Sequence, residues 1–111
     1  MEMNKVKEAE SEFKRAIEIN KDFVEAHYNL GVLFTETKRN EEAVSEFIKT
    51  IEIKEDYVMA HLFLGSLYLE SNRKNEGKEE LDIAYKLAIQ NGRSDLISLI
   101  ENYQKKINKQ K

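Results

Sequence analysis

The segment Val24-Glu25-Ala26-His27-Tyr28-Asn29-Leu30-Gly31-Val32-Leu33-Phe34 returns 34 residues later, in most of its positions, as Val58-Met59-Ala60-His61-Leu62-Phe63-Leu64-Gly65-Ser66-Leu67-Tyr68. Val24, Ala26, His27, Leu30, Gly31 and Leu33 each meet an identical residue in the second copy. The same offset carries Asp22 to Asp56, Arg39 to Arg73 and Glu42 to Glu76, and joins Phe13, Phe47 and Leu81 in one slot. A period of this length marks stacked helical hairpins, each unable to bury its apolar face alone.

Leu30-Gly31 with Phe34, Leu64-Gly65 with Tyr68, and Ala43 with Phe47 resemble the tetratricopeptide repeat, or TPR, with His27 and His61 in that family's Trp slot. The second-helix slots of that family recur as Ala9, Phe13 and Ala16, then Ala43, Phe47 and Thr50, then Gly77, Leu81 and Ala84. The resemblance covers roughly residues 6 to 91 and implies an all-α, right-handed helical-hairpin solenoid of about six helices, including a C-terminal capping helix. One domain over residues 1–111 would hold a half repeat at 5–22, repeats at 23–56 and 57–91, and the capping helix at 94–108. The family's closing Pro is replaced by Lys21, Glu55 and Ile89, so other means must set the turns. Gly31 and Gly65 fall in mid-helix, where Gly costs about 1 kcal/mol against Ala, so each predicts a close approach by a neighbouring helix. Phe47 is expected to fill the gap to the next unit.

The 111 residues, 41% apolar and 35% charged, suit one small domain of amphipathic helices, and the absence of Pro agrees. Without Cys there is neither a disulfide framework nor a thiolate metal site, which leaves the redox compartment open. A net charge of -3 disfavours nucleic acid, which prefers a basic face. The start, Met1-Glu2-Met3-Asn4-Lys5, lacks the apolar core of a signal peptide, and no run approaches the ~18 apolar residues of a membrane span. The expectation is a cytoplasmic protein that binds neither nucleic acid nor membrane.

Apolar spacing predicts helices at about 5–20, 23–37, 41–54, 57–72 and 75–90, and a last one opened by Ser94 with Leu96, Leu99, Ile100, Tyr103 and Ile107 on one stripe. Asp22 with Glu25 reads as a capping box, Asn40 as an N-cap, and Asn91-Gly92 as a helix end. The Lys-rich end from Lys105 to Lys111 is expected to fray. Helix 5–20 is a second helix in register, whose first helix would need about a dozen residues upstream. Either the array opens on a half repeat or the chain is a piece of a longer protein. Ala9 and Ala16, which would face the missing helix, are small enough to stand exposed at little cost.

No residue pattern points to catalysis. His27 and His61 stand a full repeat apart in equivalent packing slots, with no other His and no Cys to complete a metal site. The carboxylates are interleaved with Lys, as Glu10 with Lys14 and Glu101 with Lys105, which describes a solvated helix face. No phosphate-binding Gly-rich loop, Ser-His-Asp set or His-Glu-x-x-His motif occurs. The expectation is a non-enzymatic chain with no metal and no cofactor.

Equal slots with unequal chemistry show where the chain does more than fold. Helix 57–72 carries Val58, Ala60, Leu64, Leu67 and Tyr68 on one stripe and Met59, Leu62, Phe63 and Leu69 on another, whereas the earlier copy offers the more polar Glu25, Tyr28, Asn29 and Val32. A helix apolar nearly all round expects burial nearly all round. The resemblance implies that first helices line a concave groove, so a peptide site is expected at Tyr28, Asn29, Val32, Met59, Leu62, Phe63 and Ser66. The other reading of this stripe is that the last helix covers part of it. Val44 and Ile48 stand where the neighbouring units have Glu10 and Lys14, or Lys78 and Asp82, and they suggest either partial burial or a contact with another copy. Members of the family that clamp a terminal carboxylate use basic and Asn side chains. Asn29 matches one of these, but Met59 and Phe63 replace the Lys and Arg, so such a ligand is disfavoured. The expected function is a protein-interaction module or scaffold that takes a peptide or partner segment through apolar anchors. The alternative is a homo-oligomer that docks through its open N-terminal half repeat or the groove, with Ala9, Ala16, Val44 and Ile48 as the candidate self-association residues. A more distant one is an accessory segment of a catalytic protein.

Overall fold

The computed structural model describes residues 3–109. Its helices are α1 (Met3–Ile19), α2 (Val24–Glu36), α3 (Asn40–Ile53), α4 (Val58–Glu70), α5 (Lys74–Gln90) and α6 (Ser94–Lys109), with no strand among the described residues. The chain divides into two compact units: α1 to α3 fall in the first, which ends at Glu55, and α4 to α6 in the second, which starts at Asp56.

In the first unit α2 and α3 form a hairpin closed by Leu30, Leu33 and Phe34 from one helix and Ala43, Phe47 and Thr50 from the other, all buried. A Cβ on Gly31 would lie 2.8 Å from the Phe47 ring, so the missing side chain is what admits the aromatic. The cost of a mid-helix glycine is offset by this approach, as expected. The ring of Phe47 also meets that of Tyr28 at 5.9 Å. The Phe47 ring is thus housed on Gly31 within its own hairpin.

The second unit repeats the device with other atoms. Leu81 approaches Gly65, and Leu69 would lie 2.9 Å from a Cβ on Gly77. Here a third helix joins the core, where Leu62, Leu81, Ala84, Ala88, Leu96, Ile100 and Ile107 form one buried cluster. The last turns of α6 do not fray from Lys105: the helix continues to Lys109 because Ile107, 5% exposed, ties them to that cluster. Gln110 and Lys111, which belong to the same expectation, lie outside the described residues.

Left-handed residues set the turns within the α2–α3 and α4–α5 hairpins and the turn between α5 and α6. Lys38 and Asn72 adopt φ of 64° and Gly92 of 65°. At each, two backbone N–H groups reach back to the helix end: Arg39 to Phe34 and Lys38 to Thr35, Arg73 to Tyr68 and Asn72 to Leu69, Arg93 to Ala88 and Gly92 to Ile89. These bonds satisfy carbonyls that a helix end otherwise leaves without partners. The residue that completes each turn also opens the next helix, so Arg39 and not Asn40 is the N-cap of α3. Likewise the Arg93 carbonyl receives the N–H groups of Leu96 and Ile97 at the start of α6, the place expected of Ser94. The capping box of Asp22 and Glu25 does not form. The N-cap of α2 is Phe23, without a side-chain bond, and the Asp22 N–H donates to Asn20 Oδ1 at 3.1 Å.

Candidate functional site

The two histidines are buried hairpin parts. His27, 5% exposed, places Nδ1 2.8 Å from Glu46 Oε1 and Nε2 2.9 Å from the Lys21 carbonyl. His61, 4% exposed, places Nδ1 2.7 Å from Glu80 Oε1. In both hairpins a carboxylate of the second helix thus answers a ring nitrogen of the first. Among the described residues no group of three His, Cys, Asp or Glu side chains could hold a metal ion.

The charged residues at the turns form clamps. The Arg39 guanidinium donates to Glu10 at 2.6 Å and to Glu42 at 2.7 and 2.8 Å, and lies 4.3 Å above the Phe34 ring. Lys14 adds a contact to Glu10 at 2.8 Å. The hydrogen bonds from Arg39 and then Lys14 hold the Glu10 carboxyl below the usual range, and those from Glu42 and Glu10 push Arg39 up. In the second unit Arg73 sits 4.3 Å above Tyr68 and pairs with Glu76. The hydrogen bonds between them lower Glu76 and raise Arg73, while burial raises Tyr68.

The structure separates the expected groove residues. Leu62 is not an open site: it is 4% exposed and belongs to the core cluster that includes Leu96, Ile100 and Ile107 of α6. Met59 packs partly against the same cluster. Phe63 and Ser66 are half-buried, and the Ser66 hydroxyl is spent on the Phe63 carbonyl at 2.9 Å. On α2, Tyr28 and Val32 are half-buried and Asn29 is exposed. A cleft of about 290 Å³ lies beside Ser66, Leu69, Glu70, Tyr103, Lys106 and Ile107. Its α6 side agrees with the reading in which the last helix covers part of the α4 stripe.

Ala9, Phe13 and Ala16 of α1 are half-buried, whereas their equivalents Ala43, Phe47 and Thr50, and Leu81 and Ala84, are fully buried. Val44 is half-buried and Ile48 is 40% exposed. A cleft of about 660 Å³ lies against α1, lined by Met3, Val6, Lys7, Glu10, Glu36, Thr37 and Arg39.

Two repeat models match this sequence, one described as TPR repeat over residues 1–37 and one as tetratricopeptide repeat over residues 24–57. The chain belongs to the tetratricopeptide repeat family. No curated protein matches it in sequence. Among solved TPR-like structures, MamA is 22% identical with a TM-score of 0.77 over 82% of this chain and 53% of its own, so the chain spans about half the length of MamA. The Yersinia enterocolitica type III secretion translocator chaperone SycD is 12% identical with a TM-score of 0.88, over 95% of this chain and 73% of its own. The TPR2B domain of yeast Sti1, in a complex with pHsp70, is 18% identical with a TM-score of 0.85, over 97% of this chain and 86% of its own. At these identities the likeness is one of TPR fold.

Proposed function

We propose that this TPR chain is a non-enzymatic protein-interaction module that takes a peptide or partner segment on the apolar side chains of its first helices. The observation that carries the reading is on α4: α6 absorbs Leu62 into the core, yet Met59 and Phe63 of the same stripe keep part of their surface exposed. Tyr28, Asn29 and Val32 form the corresponding set on α2. Met and aromatic side chains make adaptable contacts, and a partly exposed Phe is a good anchor for a partner side chain. The Sti1 domain with its bound partner supports this use of the fold.

Because Met59 and Phe63 stand where a carboxylate clamp would place cations, binding is anchored by apolar groups and varies little with salt. The test is affinity purification with the wild-type chain and with Phe63→Ser, followed by titration of the identified segment at low and high ionic strength. The expected result is a loss of about 1–3 kcal/mol for Phe63→Ser at either salt concentration. An affinity that collapses with salt for an acidic ligand, or one indifferent to Phe63→Ser, overturns the reading. In the rival reading, self-association through Ala9, Ala16, Val44 and Ile48, the measured mass rises with concentration; the proposal expects a constant monomeric mass.

A further inference from the structure

Asn91 and Gly92, both exposed, lie in the turn between α5 and α6. An asparagine followed by glycine is open to attack on its own side chain, because glycine puts no side chain in front of the attacking backbone nitrogen. Every other asparagine of the sequence precedes a residue with a side chain, as Asn72 precedes Arg73. Around Gly92 the approach is clear: apart from its chain neighbours, no described residue comes within 4 Å of where its Cβ would stand.

The folded turn nevertheless holds the reacting atoms apart. Asn91 has φ of -95° and ψ of 2°, so the Gly92 nitrogen eclipses the Asn91 nitrogen and stands away from Cβ. The Gly92 N–H donates to the Ile89 carbonyl at 3.1 Å, and the Arg93 N–H to the Ala88 carbonyl at 2.9 Å. Turning the Asn91–Gly92 peptide toward Cβ breaks the first bond and displaces Arg93, whose carbonyl accepts from Leu96 and Ile97 at the start of α6. The reaction therefore needs α6 to move, and Leu96, Ile100 and Ile107 hold α6 in the core cluster.

We propose that Asn91 is a site of spontaneous deamidation, gated by release of α6 from the core of the second unit. With the turn open, the Gly92 backbone nitrogen attacks Asn91 Cγ. The new N–Cγ bond closes a succinimide, the Cγ–Nδ2 bond breaks, and ammonia leaves with the proton that Gly92 gives up. Water then opens the ring at either carbonyl, yielding aspartate or isoaspartate with no change of oxidation state. Aspartate sets a negative charge at the C-cap of α5, against the helix dipole. Isoaspartate runs the main chain through the side-chain carbon and lengthens a turn whose hydrogen bonds fix its length. Both products weaken the closed turn, so the change is one-way and loosens α6 over Leu62.

The test incubates the full chain at mildly alkaline pH and follows each asparagine by peptide mapping, with enzymatic methylation to detect isoaspartate. Product is expected at Asn91 ahead of Asn72, and more slowly in the folded chain than in a synthetic peptide of residues 86–97. Ile107→Ala, which opens a cavity under α6, should speed the folded chain by about tenfold or more. Should that variant fail to fold, the wild type in urea below its unfolding transition decides. There the rate should rise with urea less steeply than global unfolding does, because α6 release exposes less surface. No product at Asn91, a folded rate equal to that of the peptide, a rate indifferent to Ile107→Ala, or a urea slope equal to that of global unfolding overturns the proposal.

Discussion

Helices α2 and α4 hold the same place in their repeats and share Ala, His, Leu and Gly in register, yet one is amphipathic and the other apolar nearly all round. The slots that differ are Glu25 and Met59, Tyr28 and Leu62, Asn29 and Phe63. In the second unit Leu62 lies in a core built with α5 and α6, whereas in the first unit Tyr28 is half-buried beside Phe47 and Asn29 is exposed. The extra apolar stripe therefore has two causes: part of it marks an additional packing neighbour, and part remains accessible. Composition alone cannot divide Leu62 from Phe63, because the residues are adjacent and equally apolar.

The sharpest break falls on what the two hairpins share. Phe47→Ala empties a fully buried slot in the first hairpin and should cost about 3–5 kcal/mol, with Leu81→Ala costing about 2–5 kcal/mol in the second. Thermal or urea unfolding measures both, and a loss under about 1 kcal/mol at either site would show that the glycine-lined slot collapses freely.

Substitutions at Leu62 and Phe63 sharpen the contrast itself. Leu62→Ala should lose about 2–4 kcal/mol through its cavity, while Phe63→Ser should lose about 1 kcal/mol or less. A reversed order in chemical denaturation would mean that α6 does not hold Leu62 as described.

The turns differ more subtly. Lys38 carries a side chain at φ 64° where Gly92 carries none, so Lys38→Gly should stabilise by about 0.5–1 kcal/mol, with a smaller gain for Asn72→Gly. An unchanged melting temperature for Lys38→Gly would show that its left-handed conformation costs nothing there.

The smallest expected effect is electrostatic. Glu10 joins the Arg39 clamp, but its equivalent in the next repeat is Val44. Hydrogen bonds lower the Glu10 pKa from its ordinary 4.5, so its stabilisation is complete above that value and is lost as pH falls through the depressed folded pKa. Melting temperature followed across this acidic window should fall less steeply for Glu10→Gln than for the wild type. Equal slopes would remove Glu10 from the acid response.

Much of the fold was legible because it is written twice. The offset of Leu30-Gly31 and Leu64-Gly65 announces hairpins, and the glycines announce a close contact. The caps were harder to read. Asp22, Asn40 and Ser94 have the chemistry of N-caps, but Phe23 opens α2, and the left-handed turns at Lys38 and Gly92 leave no spare residue between helices, so Arg39 and Arg93 take the opening positions there. The candidate site was legible only in outline: its apolar stripe and the chance that the last helix covers part of it were plain, but that Leu62 is the residue covered was not.

By itself the sequence determined the repeat length, the helices and the residues that must meet within a hairpin, because helical periodicity and a repeated pattern are local properties. Tertiary structure decided how the second stripe of α4 is shared between core and surface. Burial depends on the helices packed alongside, and neighbours distant in sequence, such as Leu62 with Ile100, leave no mark in either segment alone.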